Sequence, residues 1–547
     1  MPKSGSYRKA FGAIAVVAAT GLSAGAWLQQ PAGAQHDAQG GRAKAATVNP
    51  VAVMEDADAS TNTNFAVPDD AVFVSPHGND KGAGTRAYPM KTIRAAINRA
   101  PEGGTVVLRG GTYRQSIEDE AIEKSVVLQA YPHERPVMSG ADVWREWTKV
   151  GELYKATGWT SPFRQDAFRA AEIDADYPVA GKVEQLYRNG YPQQQVASLD
   201  ELTSDTFFVE PTTKELFVKD DPTEATMEIT TRASALTFAS SNPGTAVKGL
   251  MFTAYGAPHL GEHAMVVSRA NGFTAQDNVF LRSSGAGLFA DGESGAVVLQ
   301  NNTFQDNGSE GAVIQATANA EVLNNLLAGN NFEHFNVESC GSACTIAGLK
   351  MTSAQNALVA GNVLRDNNSA GYWCDLGCTN ARFDGNLLTG NAGAAVVYKD
   401  STQGQITNNY VANNAKAGIL IDGSDHTLIS SNEVINNKYQ LQSYDDPRTP
   451  ELTEEPTANK AFTWNTTNNL VVNNVFQGGP KTSRLLLTNS SSDVDAPMMF
   501  TQLDSNRVSG NQTVAWYTFG GYQRFETLDA FRNSTGFQFG TVEQLVN

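Results

Sequence analysis

Asn362-Val-Leu, Asn386-Leu-Leu, Asn409-Tyr-Val and Asn432-Glu-Val follow one another at intervals of 24, 23 and 23 residues. The same triplet occurs upstream as Asn278-Val-Phe, Asn302-Thr-Phe and Asn325-Leu-Leu, and downstream as Asn474-Val-Phe. A period this short does not accommodate pairs of helices. It suits one coil of a β-solenoid in which the asparagines stack as a side-chain ladder at a tight turn. Leucine-rich repeats share the length, but short β-prone triplets punctuated by Gly and Asn, without a helical half, favour the solenoid. The spacing therefore predicts an all-β, right-handed parallel β-helix. Two intervals are longer, Asn325 to Asn362 and Asn432 to Asn474. Insertions in a solenoid leave from one face, usually the binding face, so these two are expected to frame a site.

Outward from the repeat, Phe73 to Tyr113 reads as strand, turn, short amphipathic helix and strand, a helical cap over one end of the array. Between Trp144 and Arg232 the spacing becomes hairpin-like, as in Lys182 to Tyr187 and Thr206 to Val209, which indicates an inserted β-rich subdomain. The expected organisation is a signal peptide over 1–34, a linker over 35–70, the cap and first coils over 71–143, and the insertion over 144–232. The solenoid core follows over 233–480 and a closing cap over 481–547.

The first residues carry Lys3, Arg8 and Lys9, then an apolar run from Phe11 to Trp27, then Ala32-Gly33-Ala34. That is the pattern of a secretory signal cut after Ala34, an uncleaved anchor being the alternative. No other stretch has the length to cross a bilayer, so the mature chain is expected to be soluble, secreted or at the cell envelope, and monomeric. A formal charge of −17 over 547 residues, with no basic stripe, argues against nucleic acid as a partner. Cys340, Cys344, Cys374 and Cys378 form two CxxxC pairs. In an exported chain these point to disulfides of open connectivity, with a four-thiolate zinc site as the alternative.

Counting back from each ladder asparagine leads to Lys350, Asp375, Tyr398-Lys399-Asp400 and Asp422, one column of charge on successive rungs. Trp373, two residues before Asp375, falls on the same face and offers a flat surface for a sugar ring. Rungs about 4.8 Å apart place Asp375 and Asp400 near the roughly 5 Å of a retaining glycosidase, and Asp375 and Asp422 near the roughly 6.5–9.5 Å of an inverting one. Lys350, Lys399 or Tyr398 would instead serve a uronate lyase as base or as carboxylate partner. His263 and His334 have no metal-ligand companions and read as structural or surface residues. No phosphate-binding glycine loop, GxSxG elbow or calcium-loop spacing is present, so no metal and no cofactor is implied.

Val74 to Asp80, Pro89 to Ile93 and Gly111-Thr-Tyr113 resemble the N-terminal cap of secreted β-helix polysaccharide lyases and glycosidases. Gly181 to Pro222, Ala347 to Lys350, Gly371 to Asp375, Asp446-Pro-Arg448 and Tyr522 to Gly540 resemble segments of bacterial right-handed β-helix proteins of unassigned activity. In β-xylosidases of this fold a Gly-aromatic-Trp-like strand carries an Asp nucleophile and the next rung a Glu acid. The resemblance thus implies a nucleophile at Asp375, while Tyr398-Lys399-Asp400 stands where the Glu is expected. The expected function is a secreted, carbohydrate-active protein, a glycoside hydrolase using Asp375 with Asp400 or Asp422. Trp373, Lys350, Tyr398 and Lys399 would hold a polysaccharide or oligosaccharide substrate. A lyase or epimerase, and a noncatalytic carbohydrate-binding surface protein, are the alternatives.

Overall fold

The computed structural model describes residues 62–163, 173, 175–259, 262–292, 295–335, 346–445 and 463–542. The signal region, Cys340, Cys344 and Asp446 to Arg448 lie outside these residues. Among the described residues three 13-stranded sheets are built from successive coils. One full coil shows the plan: Leu358–Ala360 contributes to the first wall, Val363–Arg365 to the second and Ala370–Asp375 to the third. The next coil begins with Arg382–Asp384, which lies parallel to Leu358–Ala360.

Two asparagine ladders pin the corners. The first joins Asn278, Asn302, Asn325, Asn362, Asn386, Asn409, Asn432, Asn474 and Asn506 by amide-to-amide bonds. Asn386 shows the bonding. Its Nδ2 donates to Asn409 Oδ1 (3.0 Å) and to the Val359 carbonyl (2.9 Å), and its Oδ1 accepts from the backbone N–H and Nδ2 of Asn362 (both 2.9 Å). Each buried amide thus finds its partners inside the stack, which a lone buried asparagine could not do. The second ladder, Asn307, Asn330, Asn367, Asn391, Asn414 and Asn437, lies five residues on in each coil and ends on Gln440. The residue before each first-ladder asparagine is left-handed, Gly361 and Gly385 in two coils and Asp, Asn or Ser in the others. Gly, Asn and Asp enter that conformation most readily, and Ser431 and Ser505 are held there by the stack.

Between the walls the core is stacked by type. Phe252, Phe280 and Phe304 lie ring on ring at 5.1 and 4.7 Å, and Leu327, Leu364 and Leu388 continue the column. At the N-terminal end the helix Ile93–Arg99 buries Ile93, Ala96 and Ile97 beside the first strands, its N-terminus capped by the Thr92 hydroxyl. At the other end Gly521–Phe525 pairs antiparallel with Val514–Thr518, and a helix, Leu528–Thr535, follows. An eight-stranded, mostly antiparallel sheet spans Ala141–Trp144 to Met227–Thr230 and has its own core around Trp159, Phe207 and Ile229. In both long asparagine intervals the added length adjoins a third-wall strand in the sequence, before Ala347–Thr352 in one and after Tyr439–Tyr444 in the other.

Candidate functional site: the outer face of the third wall

In the third wall the pleat alternates inward and outward residues. Inward are Leu349, Met351, Tyr372, Cys374, Val396 and Tyr398, all buried in the core. Outward, two columns run across the rungs. One holds Lys350, Trp373, Val397 and Leu420; the other holds Thr352, Asp375, Lys399, Asp422 and Tyr444.

Four charges meet here in two pairs. Lys350 Nζ lies 3.0 Å from Asp375 Oδ2, reaching diagonally to the next rung, and 4.7 Å from the centre of the Trp373 ring. Lys399 Nζ lies 2.5 Å from Asp422 Oδ2. Asp375 Oδ1 also accepts the Leu376 N–H at 2.8 Å. Lys350, Asp375 and Lys399 are 4, 1 and 3% exposed, so both pairs are held almost out of water. The Trp373 indole N–H is a buried donor without a hydrogen-bond partner among the described residues.

The expected single column of Lys350, Asp375 and Asp422 is corrected in one respect. Asp375, Lys399 and Asp422 share a column, whereas Lys350 stands in register with Trp373, two residues earlier on its strand. Tyr398 does not join the site. It is in register with the inward Cys374, is 1% exposed, and its hydroxyl donates to the Cys378 and Thr402 carbonyls. Period-two alternation puts Tyr398 and Lys399 on opposite faces, so only one of them can look outward. Asp400 lies beyond the strand, fully buried in a left-handed turn residue, and not on the wall. Beneath Asp375, Cys374 and Cys378 are joined as a disulfide. Among the described residues no group of three or more His, Cys, Asp or Glu is placed to hold a metal ion. No helix among them is long and apolar enough to cross a membrane.

A second concavity lies away from the repeat positions. This cavity of about 390 Å³ sits between the inserted sheet and the solenoid, lined by Glu184, Tyr187, Arg282, Glu333 and His334 among others. His334, expected to be structural or surface, stacks on Tyr177 at 4.0 Å. Neither glutamate sits at a repeat position, so no periodic signal in the sequence marks them.

Comparison with known proteins agrees with this architecture. The solved complex of XylC with xylose superposes with a TM-score of 0.63 at 16% identity, over 81% of this chain and 84% of that one. A pectate lyase of Emericella nidulans, PEL9, is 35% identical over 77 residues, and the uncharacterised protein YwoF of Bacillus subtilis is 33% identical over 86. These matches take in 13 and 15% of this chain and only 19 and 18% of the two curated relatives. The family described as a right handed beta helix region matches residues 262–438 and 347–541, which together run over more than half of the sequence. A chain wound into three parallel walls, with that match along most of the winding, belongs to the right-handed β-helix family.

Proposed function

We propose that this protein is exported, binds a polysaccharide along the third wall, and cleaves it by hydrolysis with Asp375 as the ionised carboxylate that attacks or activates water. The observation that carries the reading is the pair of Lys–Asp contacts at successive rungs of a face otherwise built from Val397, Leu420 and Trp373. Desolvating two ion pairs costs several kcal/mol per ion before attraction offsets it, and packed apolar side chains would be at least as stable. Charges kept under that penalty beside an aromatic face with an unused indole N–H suit a site better than a scaffold.

The ion pair with Lys350 and the Leu376 N–H both favour the charged form of Asp375, which fits a nucleophile or base and opposes an acid. Asp422 is the second carboxylate of choice. It lies two rungs away in the same column, about 9–10 Å by strand spacing, at the outer edge of an inverting pair, and Lys399 on the rung between them would have to release it for it to serve as the acid. Asp400, in its buried turn, is less favourably placed. Likeness to a protein solved with xylose and to a pectate lyase supports the carbohydrate class.

The test is a panel of plant and bacterial polysaccharides, scored for new reducing ends and for absorbance of unsaturated products. Hydrolysis raises the first alone, and Asp375→Asn is expected to lower it by about 100-fold or more. Unsaturated products would establish elimination instead, with a lysine as base. Full activity in Asp375→Asn would move the reaction away from this wall.

A further inference from the structure

We propose that the cavity between the inserted sheet and the solenoid is a binding site for a neutral sugar unit, distinct from the third-wall charges. The inference stands on the cavity's own lining and does not require Asp375 to be catalytic.

The two places are physically separate. Arg282, Ser283 and Asp306 line the cavity from turns that lead into third-wall strands, whereas Asp375 and Asp422 close such strands at their far ends. Six residues of strand span about 15–20 Å. The other side of the cavity comes from the insertion, with Gln185, Tyr187 and Gln193 to Gln195. A volume of about 390 Å³ is in the range of small-molecule sites and takes one or two sugar rings.

The lining has the two components that sugar recognition needs. Tyr177 and His334 lie ring on ring, 8° from parallel, with Tyr177 42% exposed, and Phe332 stands 56% exposed at the rim. Flat aromatic faces match the C–H faces of a pyranose. The polar component is a set of carboxyls and amides for hydroxyl groups. Glu184 accepts from Ser161 Oγ at 2.5 Å, and Gln185 bridges Tyr187 and the Arg282 carbonyl. Glu333 approaches closely over Gly308, where a Cβ would come within 3.0 Å of its Cγ. Desolvation, with Glu184 adding its charge, pushes the Glu333 carboxyl up to about 8, so it is mostly protonated at neutral pH and offers an O–H to a ligand. The other charged or titratable groups around it are His334, Arg282, Asp306, Tyr177 and Tyr187. One protonated and two ionisable carboxyls against a single arginine disfavour a uronate and leave an uncharged, hydroxyl-rich ring as the matching ligand.

Saturation-transfer NMR and calorimetry at pH 6 on the whole protein test this, using neutral pentoses, hexoses and their disaccharides against glucuronic and galacturonic acid. Neutral sugars are expected to bind, with the uronic acids weaker by about tenfold. Phe332→Ala and Tyr177→Ala, each checked for fold by circular dichroism, should weaken binding by about fivefold. Glu333→Gln, which keeps a neutral donor, should retain it. Binding lost in Asp375→Asn and kept in both aromatic variants would place it on the third wall and overturn the proposal. No saturable binding of any neutral sugar below ~50 mM, far weaker than sites of this volume usually bind, would overturn the proposal. So would equal binding of uronic acids, or wild-type affinity in both aromatic variants.

Discussion

Two polar columns cross the coils of this solenoid, and they are built on opposite principles. The asparagine ladders sit at buried corners, and each repeats one residue that is both donor and acceptor, so every rung satisfies the next. The third-wall column changes residue at each rung, Asp375, Lys399, Asp422, and is held by one ion pair within it and one from Asp375 to Lys350 in the neighbouring column. An asparagine stack can be extended indefinitely without net charge or unmet hydrogen bonds. An alternating stack depends on each partner being present. Identity along a column therefore marks architecture, and departure from identity marks a place where the wall has been given other work.

That contrast can be broken in three ways. Lys350→Met should have the largest effect, because it leaves Asp375, 1% exposed, without its lysine, a loss of about 3–5 kcal/mol in chemical denaturation. Asn386→Ala removes one ladder rung and strands the Asn362 amide and the Val359 carbonyl, for about 2–4 kcal/mol. A loss below roughly 1 kcal/mol would show that the ladder tolerates gaps and is not the architectural element. The smallest effect concerns a cavity carboxyl outside both columns. Glu333 is raised from an ordinary value of 4.5 to about 8, so the folded state holds a proton that the unfolded chain releases. Stability should therefore fall as pH rises from 4.5 to about 8 and be level on either side. For a partly buried group the fall is roughly 1–3 kcal/mol, and Glu333→Gln should abolish it.

The architecture is openly legible in the sequence, because few folds besides a solenoid repeat one residue type every 23 or 24 positions. The second ladder is equally present, as an asparagine five residues after the first in Asn302/Asn307, Asn362/Asn367 and Asn386/Asn391, although the Asn-apolar-apolar triplet does not mark it. Residue counting brings Asp375, Lys399 and Asp422 to one wall but loses the parity of the pleat at Tyr398, which packs in the core above Cys374. Strand alternation, applied from Asp375 outward to Lys399, identifies Tyr398 as inward. Asp400 fails for another reason: the strand ends at Lys399, and the next residue turns left-handed. The cavity is not legible at all, since Glu184 and Arg282 are brought together by an insertion folding back across the solenoid, a placement that no local pattern encodes.

The central claim is that the third-wall charges serve chemistry and not the scaffold. It is tested most directly by the double variant Lys350→Met/Asp375→Leu, measured for denaturation midpoint and for polysaccharide turnover in the same preparation. A midpoint at or above that of the unaltered protein, with turnover lost, is the predicted result. A folded double variant that still degrades the polymer at the original rate would contradict it.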